Sequence, residues 1–87
     1  MKLPTSEQVA MCVGAEIQAT RLRGSGLSQE DLGGECEMDR TTPSLHERGK
    51  RCPTLWTLIK YCLVLGVEPE AMVAATMQRL RQKKWVD

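Results

Sequence analysis

Apolar residues in this chain recur three or four positions apart, and in no stretch do they alternate with polar residues at every second position. The first spacing places side chains on one face of an α-helix, whereas a half-buried strand needs the alternating pattern. Prolines and glycines interrupt the helical pattern repeatedly. The chain is therefore expected to be all-α and to consist of short helices.

Local signals divide this pattern into five predicted helices. Thr5 with Gln8, and Ser28 with Asp31, have the spacing of capping boxes at helix starts. Other boundaries are marked by glycines and prolines, at 24–26, Gly49, Pro53-Thr54, Gly66 and Glu68-Pro69. The residues expected to face inward are Ala10, Val13, Ile17, Thr20, Leu32, Cys36, Leu55, Leu58, Ile59, Cys62, Leu65, Met72, Val73, Met77 and Leu80. A turn of about three to four residues is expected between the second and third helices.

The size of the chain predicts one domain over residues 1–87, with a core over about 9–68. Of its 87 residues, 41% are apolar and 26% are charged, which is typical of a globular domain. So small a domain has a small core, and a partner that buries more surface would stabilise it. The carboxy-terminal helix, predicted over 69–84, is therefore a candidate for dimerisation.

Several classes of function are not supported by the sequence. The four cysteines are far apart and only one histidine is present, so no metal site or other cofactor is expected. Without a phosphate loop, a nucleophile motif or paired catalytic carboxylates, neither an enzyme nor a small-molecule ligand is predicted. His46 is expected to be half-buried with a hydrogen-bond partner. No apolar run approaches the ~18 residues of a membrane span and no secretion signal is seen, which favours a cytoplasmic protein without a membrane partner.

The segment DRTTPSLHERGKR, residues 39–51, contains the third helix and also Pro43, which has no N–H donor to give to a helix. If Asp39 is the cap, the helix begins at Arg40 and Pro43 lies in its first turn. If Thr42 is the cap, Pro43 is the first helical residue, where its missing donor has no consequence. The residue before a proline avoids the α region, and this favours the later start.

Two short helices joined by a tight turn, the second rich in Arg, Thr and Ser, are the parts of a helix-turn-helix. The stretches GLSQEDL (26–32), DRTT (39–42), ERGKR (47–51) and PTL (53–55) resemble the Xre/Cro/C1-type helix-turn-helix regulators of bacteria and phages. The match needs no gap over residues 27–67. The resemblance implies a five-helix, lambda-repressor-like fold and a transcriptional regulator, expected to be a repressor, that binds an inverted-repeat operator in double-stranded DNA as a homodimer.

The resemblance also implies roles for individual residues. Arg21 and Glu47 are expected to form a partly buried ion pair beneath the third helix. The residues expected to contact DNA are Ser28, Gln29, Arg40, Thr41, Ser44, Leu45, Arg48, Lys50 and Arg51. Of these, Arg40 and Thr41 would read bases if the third helix starts early and would contact phosphate if it starts late. Leu45 would either touch a thymine methyl group or be a displaced core residue.

Three departures from the family pattern stand beside these expectations. An extra residue lies near Gly24-Ser25, and Glu37 occupies the position where the turn usually has a glycine. Pro43 and His46 replace aliphatic residues that the family buries. Because the net charge is only +1, a second function remains open, in which the fold is a protein-interaction module such as an antitoxin-like partner.

Overall fold

In the computed structural model of the protein, residues 1–83 are described, and their regular structure consists of five helices without a strand. The helices are α1 (Ser6–Leu22), α2 (Gln29–Glu35), α3 (Thr42–Glu47), α4 (Leu55–Leu65) and α5 (Pro69–Gln82). α1 packs against α3, α4 and α5, and α2 packs against α3 and α4. This confirms the predicted all-α architecture of five helices, although residue 84, the last of the predicted fifth helix, lies outside the described residues.

The predicted helix starts depend on side-chain caps, and these caps are present. The hydroxyl groups of Thr5 and Ser28 accept hydrogen bonds from backbone N–H groups three residues later, at 3.1 and 3.0 Å, and both capping boxes are complete. Thr54 caps α4 in the same way, at 3.2 Å from the N–H of Thr57. Such bonds satisfy N–H groups that have no partner within the helix. Local chemistry therefore determines where these three helices begin.

The core lies where α1, α2, α4 and α5 meet. Its buried members are Val13, Ile17, Leu32, Cys36, Leu58, Tyr61, Cys62 and Met72. Burying an aliphatic side chain of this size contributes roughly 1.5–3 kcal/mol, so this cluster supplies the main stabilising term. Cys36 and Cys62 are buried free thiols, as expected, and burial raises the pKa of both.

Three residues predicted to face inward are instead at the surface. Leu55 is 69% exposed, Ile59 37% and Val73 48%. The apolar faces of α4 and α5 are wider than the part of each face that neighbouring helices cover. In a domain of five short helices, each helix is covered on one side only. The prediction of burial was therefore wrong for these three positions. Their exposed side chains form an apolar surface on α4 and α5.

The turn between α2 and α3 is longer than predicted, since residues 36–41 separate the two helices. Asp39, Arg40 and Thr41 lie in this turn, so the helix does not have the early start at Arg40. Within the turn, Glu37 has φ of 57°, the left-handed conformation expected at the position without its usual glycine. Its N–H donates to the carbonyl of Gly34 at 3.1 Å.

A buried carboxylate joins α5 to α1. Glu16 accepts hydrogen bonds from Arg79 Nε at 2.9 Å and from Arg23 Nη2 at 3.1 Å. Burial alone would raise the pKa of Glu16, but the hydrogen bonds from the two arginines hold it below its ordinary value. This polar contact lies beside the buried Met72 and fixes α5 along α1.

Candidate nucleic-acid interface

The third helix begins between the two predicted positions and closer to the later one. α3 starts at Thr42 with Thr41 as its cap, and Pro43 is in the first turn, where backbone N–H groups have no helical partner in any case. The expectation that Thr42 would be a non-helical cap is wrong by one residue. Arg40 and Thr41 consequently belong to the turn before the helix.

Pro43 and His46 form the buried side of α3. Pro43 packs against α2 at Gly33, where an added Cβ would come within 3.2 Å of the proline Cγ. The expectation of a half-buried histidine was wrong, because His46 is only 3% exposed. Its Nδ1 shares a hydrogen bond of 2.7 Å with the hydroxyl of Tyr61, and burial, with the charge of Arg51, lowers the pKa of His46. The pyrrolidine ring of Pro43 and the imidazole of His46 thus take the places of the aliphatic residues in the family pattern.

Beneath α3 lies the ion pair expected from the resemblance. Arg21 Nε is 2.7 Å from Glu47 Oε2, and Arg21 Nη2 is 3.0 Å from Glu47 Oε1. The pair is bidentate, and the Glu47 side chain has no exposed surface. The bond to Glu47, against the opposing effect of burial, raises the pKa of Arg21, whose remaining Nη1 donates to the carbonyl of Leu27 at 3.1 Å.

Gln29 extends this network to the surface. Its Nε2 donates to Glu47 Oε1 at 2.8 Å, a contact that the sequence did not reveal. An amide has two N–H donors and one carbonyl acceptor, so one donor and the acceptor remain for another partner. The buried carboxylate therefore fixes the orientation of an amide at the start of α2.

The outer side of α3 and the start of α2 enclose an open depression of about 340 Å³. Six of the nine residues expected to contact DNA line it: Gln29, Arg40, Thr41, Ser44, Leu45 and Arg48. Leu45 is half-buried there and is not a member of the core cluster, so the surface alternative for this residue is the one observed. The depression combines two guanidinium groups, an amide, two hydroxyl groups and one aliphatic side chain.

The other three residues do not line the depression. The Ser28 hydroxyl is used as the cap of α2, where it accepts from the N–H of Asp31. Lys50 and Arg51 are exposed and lie toward the start of α1, beyond a left-handed turn at Gly49. In that turn the N–H of Lys50 donates to the carbonyl of Leu45 at 2.9 Å. These three residues do not form part of the depression.

Glu30 is a lining residue that sequence reasoning missed. Its Oε2 lies 3.5 Å from Arg40 Nη2, and both side chains are well exposed. Ten positions separate the two residues, so no local spacing indicates the contact. The one available signal was that Glu30 follows Gln29 in the first turn of α2, next to a residue already assigned to the interface.

Comparison with known proteins gives one full-length relative. The chain is 34% identical over 80 residues to the control protein C.BamHI of Bacillus amyloliquefaciens, an alignment that covers 91% of this chain and 99% of the relative. The chain belongs to the Xre/Cro/C1-type helix-turn-helix family of transcriptional regulators. No protein-family profile matches the sequence of this regulator.

Two further observations concern the described part of this helix-turn-helix regulator. Within residues 1–83, no three His, Cys, Asp or Glu side chains come together in an arrangement that could hold a metal ion. None of the helices in the same range combines the length and apolar character needed to cross a membrane.

Proposed function

We propose that this regulator binds a specific sequence of double-stranded DNA through the depression formed by α2 and α3, and acts as a transcriptional repressor. The observation that carries the proposal is the concentration of base-reading side chain types on one open surface, with Arg40, Ser44 and Arg48 beside Gln29. The buried ion pair of Arg21 and Glu47 lies beneath that surface and fixes the position of Gln29.

The chemistry of the depression suits the major groove. An arginine can donate two hydrogen bonds to N7 and O6 of guanine, and an aliphatic group can contact the thymine methyl. α3 is short, roughly 9 Å for six residues at 1.5 Å per residue, and a helix of about 10–12 Å diameter with its side chains fits a groove about 12 Å wide. Arg40 and Thr41, in the turn before α3, would therefore enter the groove together with the first turn of the helix.

Phosphate contacts would come from residues around the depression. Lys50 and Arg51 follow α3, Ser28 caps α2, and Gln29 lines the depression at the start of α2. Such contacts fix the orientation of a protein on the duplex, whereas base contacts select the sequence. With a net charge of +1, attraction to DNA must arise from these local groups.

We also propose that the regulator is a homodimer that binds an inverted repeat. Support comes from an apolar groove of about 330 Å³ between α4, α5 and the amino-terminal residues, which includes the exposed side chains of Leu55 and Val73. A second copy placed by two-fold symmetry would cover both grooves at once. Two recognition helices in successive major grooves lie about 34 Å apart, so the operator should contain paired half-sites at that separation.

The test begins with selection of genomic fragments by the purified protein, followed by titration of the best duplex at several salt concentrations. We expect an inverted repeat whose affinity falls steeply with salt, because bound basic residues release counterions from DNA. Arg40→Ala and Gln29→Ala should each weaken binding by roughly 1–3 kcal/mol without unfolding the protein. Arg81→Ala, which removes an exposed arginine from α5, is the matched control.

Two results would contradict the proposal. Unchanged operator affinity in folded Arg40→Ala and Gln29→Ala variants would exclude both residues from the interface. Weak binding without sequence preference, together with a stable complex with another protein, would instead support the interaction module that the sequence left open.

A further inference from the structure

The depression contains one carboxylate, that of Glu30, at a surface where DNA would bring phosphates. A carboxylate facing phosphate is repelled, so by charge alone Glu30 weakens DNA binding at this place. The carboxylate has a partner, however, since its Oε2 lies 3.5 Å from Nη2 of Arg40. Because the side chains are 66% and 74% exposed, the pair adds little to folding stability. The effect of the pair must then lie in the orientation of the Arg40 guanidinium.

Arg40 has two kinds of possible partner on a duplex. A flexible arginine in a turn reaches the nearest phosphate, which gives affinity without sequence selection. A guanidinium whose one edge is engaged by a carboxylate is restricted in orientation, and its remaining donors are directed elsewhere. Glu30 lies on the first turn of α2 and Arg40 in the turn before α3, so their 3.5 Å approach connects these two elements across the depression.

We infer that Glu30 is a specificity-determining residue, which positions Arg40 for a base edge and opposes its contact with phosphate. The inference rests on the proposed function, because it concerns the same surface. Arg40 contributes discrimination between sequences only while Glu30 is charged. Glu30 therefore lowers affinity for unrelated DNA and favours binding to the operator.

The experiment compares Glu30→Gln with the unmodified protein on two duplexes, the selected operator and a scrambled sequence of equal length. In Glu30→Gln, affinity for the scrambled duplex should rise about threefold. The slope of log affinity against log salt on that duplex should steepen by about 0.9, since Arg40 is released to neutralise one phosphate. The ratio of operator affinity to scrambled affinity should fall about five- to tenfold, near the discrimination of one base contact.

Two controls separate positioning from a general charge effect. Glu70→Gln removes the same charge from an exposed residue on the first turn of α5 and should leave both the ratio and the salt slope unchanged. In an Arg40→Ala background, Glu30→Gln should have no further effect on the ratio, because the residue through which it acts is absent.

The inference is overturned if Glu30→Gln behaves like Glu70→Gln, or if its effect on the ratio persists in the Arg40→Ala background. The second outcome would mean that Glu30 contacts DNA directly, as a carboxylate can with the amino group of cytosine. If the unmodified protein does not distinguish the two duplexes, the proposed function fails at that earlier step and the inference fails with it.

Discussion

Among the described residues other than glycine, Glu37 has a positive φ, of 57°. A left-handed conformation costs a residue with a Cβ roughly 1–2 kcal/mol, whereas glycine adopts it freely. The turn between α2 and α3 therefore stores strain at an exposed side chain. From the sequence, the resemblance indicated only that the family usually has a glycine at this position, and the structure shows that Glu37 adopts the left-handed conformation there.

Glu37→Gly should stabilise the protein by about 0.5–1 kcal/mol, since relief of strain exceeds the added entropy of the unfolded chain. Urea unfolding monitored by circular dichroism would measure the change. Glu35→Gly is the matched control, because it removes the same side chain at the helical end of α2 and should destabilise. Equal losses in both variants would show that the left-handed turn is not strained.

His46 should make folding stability depend on pH below about 6.5. Burial lowers its pKa in the folded protein, while the unfolded chain titrates near the ordinary value of about 6.5. Below that value the unfolded state binds a proton that the folded state does not. The contribution of His46 to the free energy of unfolding is therefore fully present above about pH 6.5 and decreases as pH falls. The slope cannot exceed about 1.4 kcal/mol per pH unit from this one group.

The chain has a single histidine, so an NMR titration of the folded protein reports His46 without ambiguity. We expect a pKa below 6.5 and a parallel loss of unfolding free energy between pH 7 and pH 5. Tyr61→Phe removes the hydroxyl that lies 2.7 Å from Nδ1 and should destabilise by about 1–3 kcal/mol. A pKa at or above 6.5 would contradict burial of the imidazole.

At the scale of elements, α1 and α3 pack with their backbones in contact. An added Cβ on Gly14 of α1 would overlap the carbonyl oxygen of His46, a backbone atom that cannot rotate away. Gly49, at the end of α3, has the same relation to α1, since its Cβ would come within 2.8 Å of Met11 Cα. Two glycine positions thus determine how closely α3 lies on α1.

Gly14→Ala should destabilise the protein by at least about 2 kcal/mol, because overpacking exceeds the gain in helix propensity. Gly34→Ala, in α2, is the matched control: nothing lies within 4 Å of its added Cβ, and it should stabilise by roughly 0.5–1 kcal/mol. Thermal unfolding of both variants checks this. Similar melting temperatures for the two would mean that α3 moves away from α1 without cost.

Helix boundaries set by neighbouring residues were predictable, and those set by tertiary contacts were not. Thr5, Ser28 and Thr54 cap their helices through bonds that span three positions, so sequence spacing is sufficient. α3 has no side-chain cap, and its Pro43 packs against Gly33, which lies ten positions away. A pattern of nearby residues contains no information about that contact, and the prediction left two starts open.

At the scale of the whole molecule, burial depends on which faces other helices cover. The exposed positions of Leu55 and Ile59 differ from the prediction because periodicity shows which face is apolar but not what covers it. The same limit applied to the candidate interface. The outer residues of α3 were predicted from the resemblance, whereas the approach of Glu30 to Arg40 is seen only when the fold brings α2 beside the turn that contains Arg40.

The apolar groove leads to a prediction about assembly. Leu55→Gln should weaken self-association at least about 100-fold, because a buried leucine is worth roughly 1.5–3 kcal/mol and a two-fold interface loses it twice. Leu63→Gln is the matched control, since Leu63 is 73% exposed on the same helix but does not line the groove. Sedimentation equilibrium measures both. Dimers of equal strength in the two variants would exclude the groove as the contact.

α3 and its C-cap have two rows of side chains with different surroundings. The inner row is Pro43, His46 and Glu47, and the outer row is Ser44, Leu45 and Arg48. The inner row meets α1, α2 and Tyr61, while the outer row meets solvent. Evolution, or a combinatorial library, can therefore exchange the outer row freely while the scaffold remains intact. Variation at the outer positions would thus change what the protein contacts without changing how it folds.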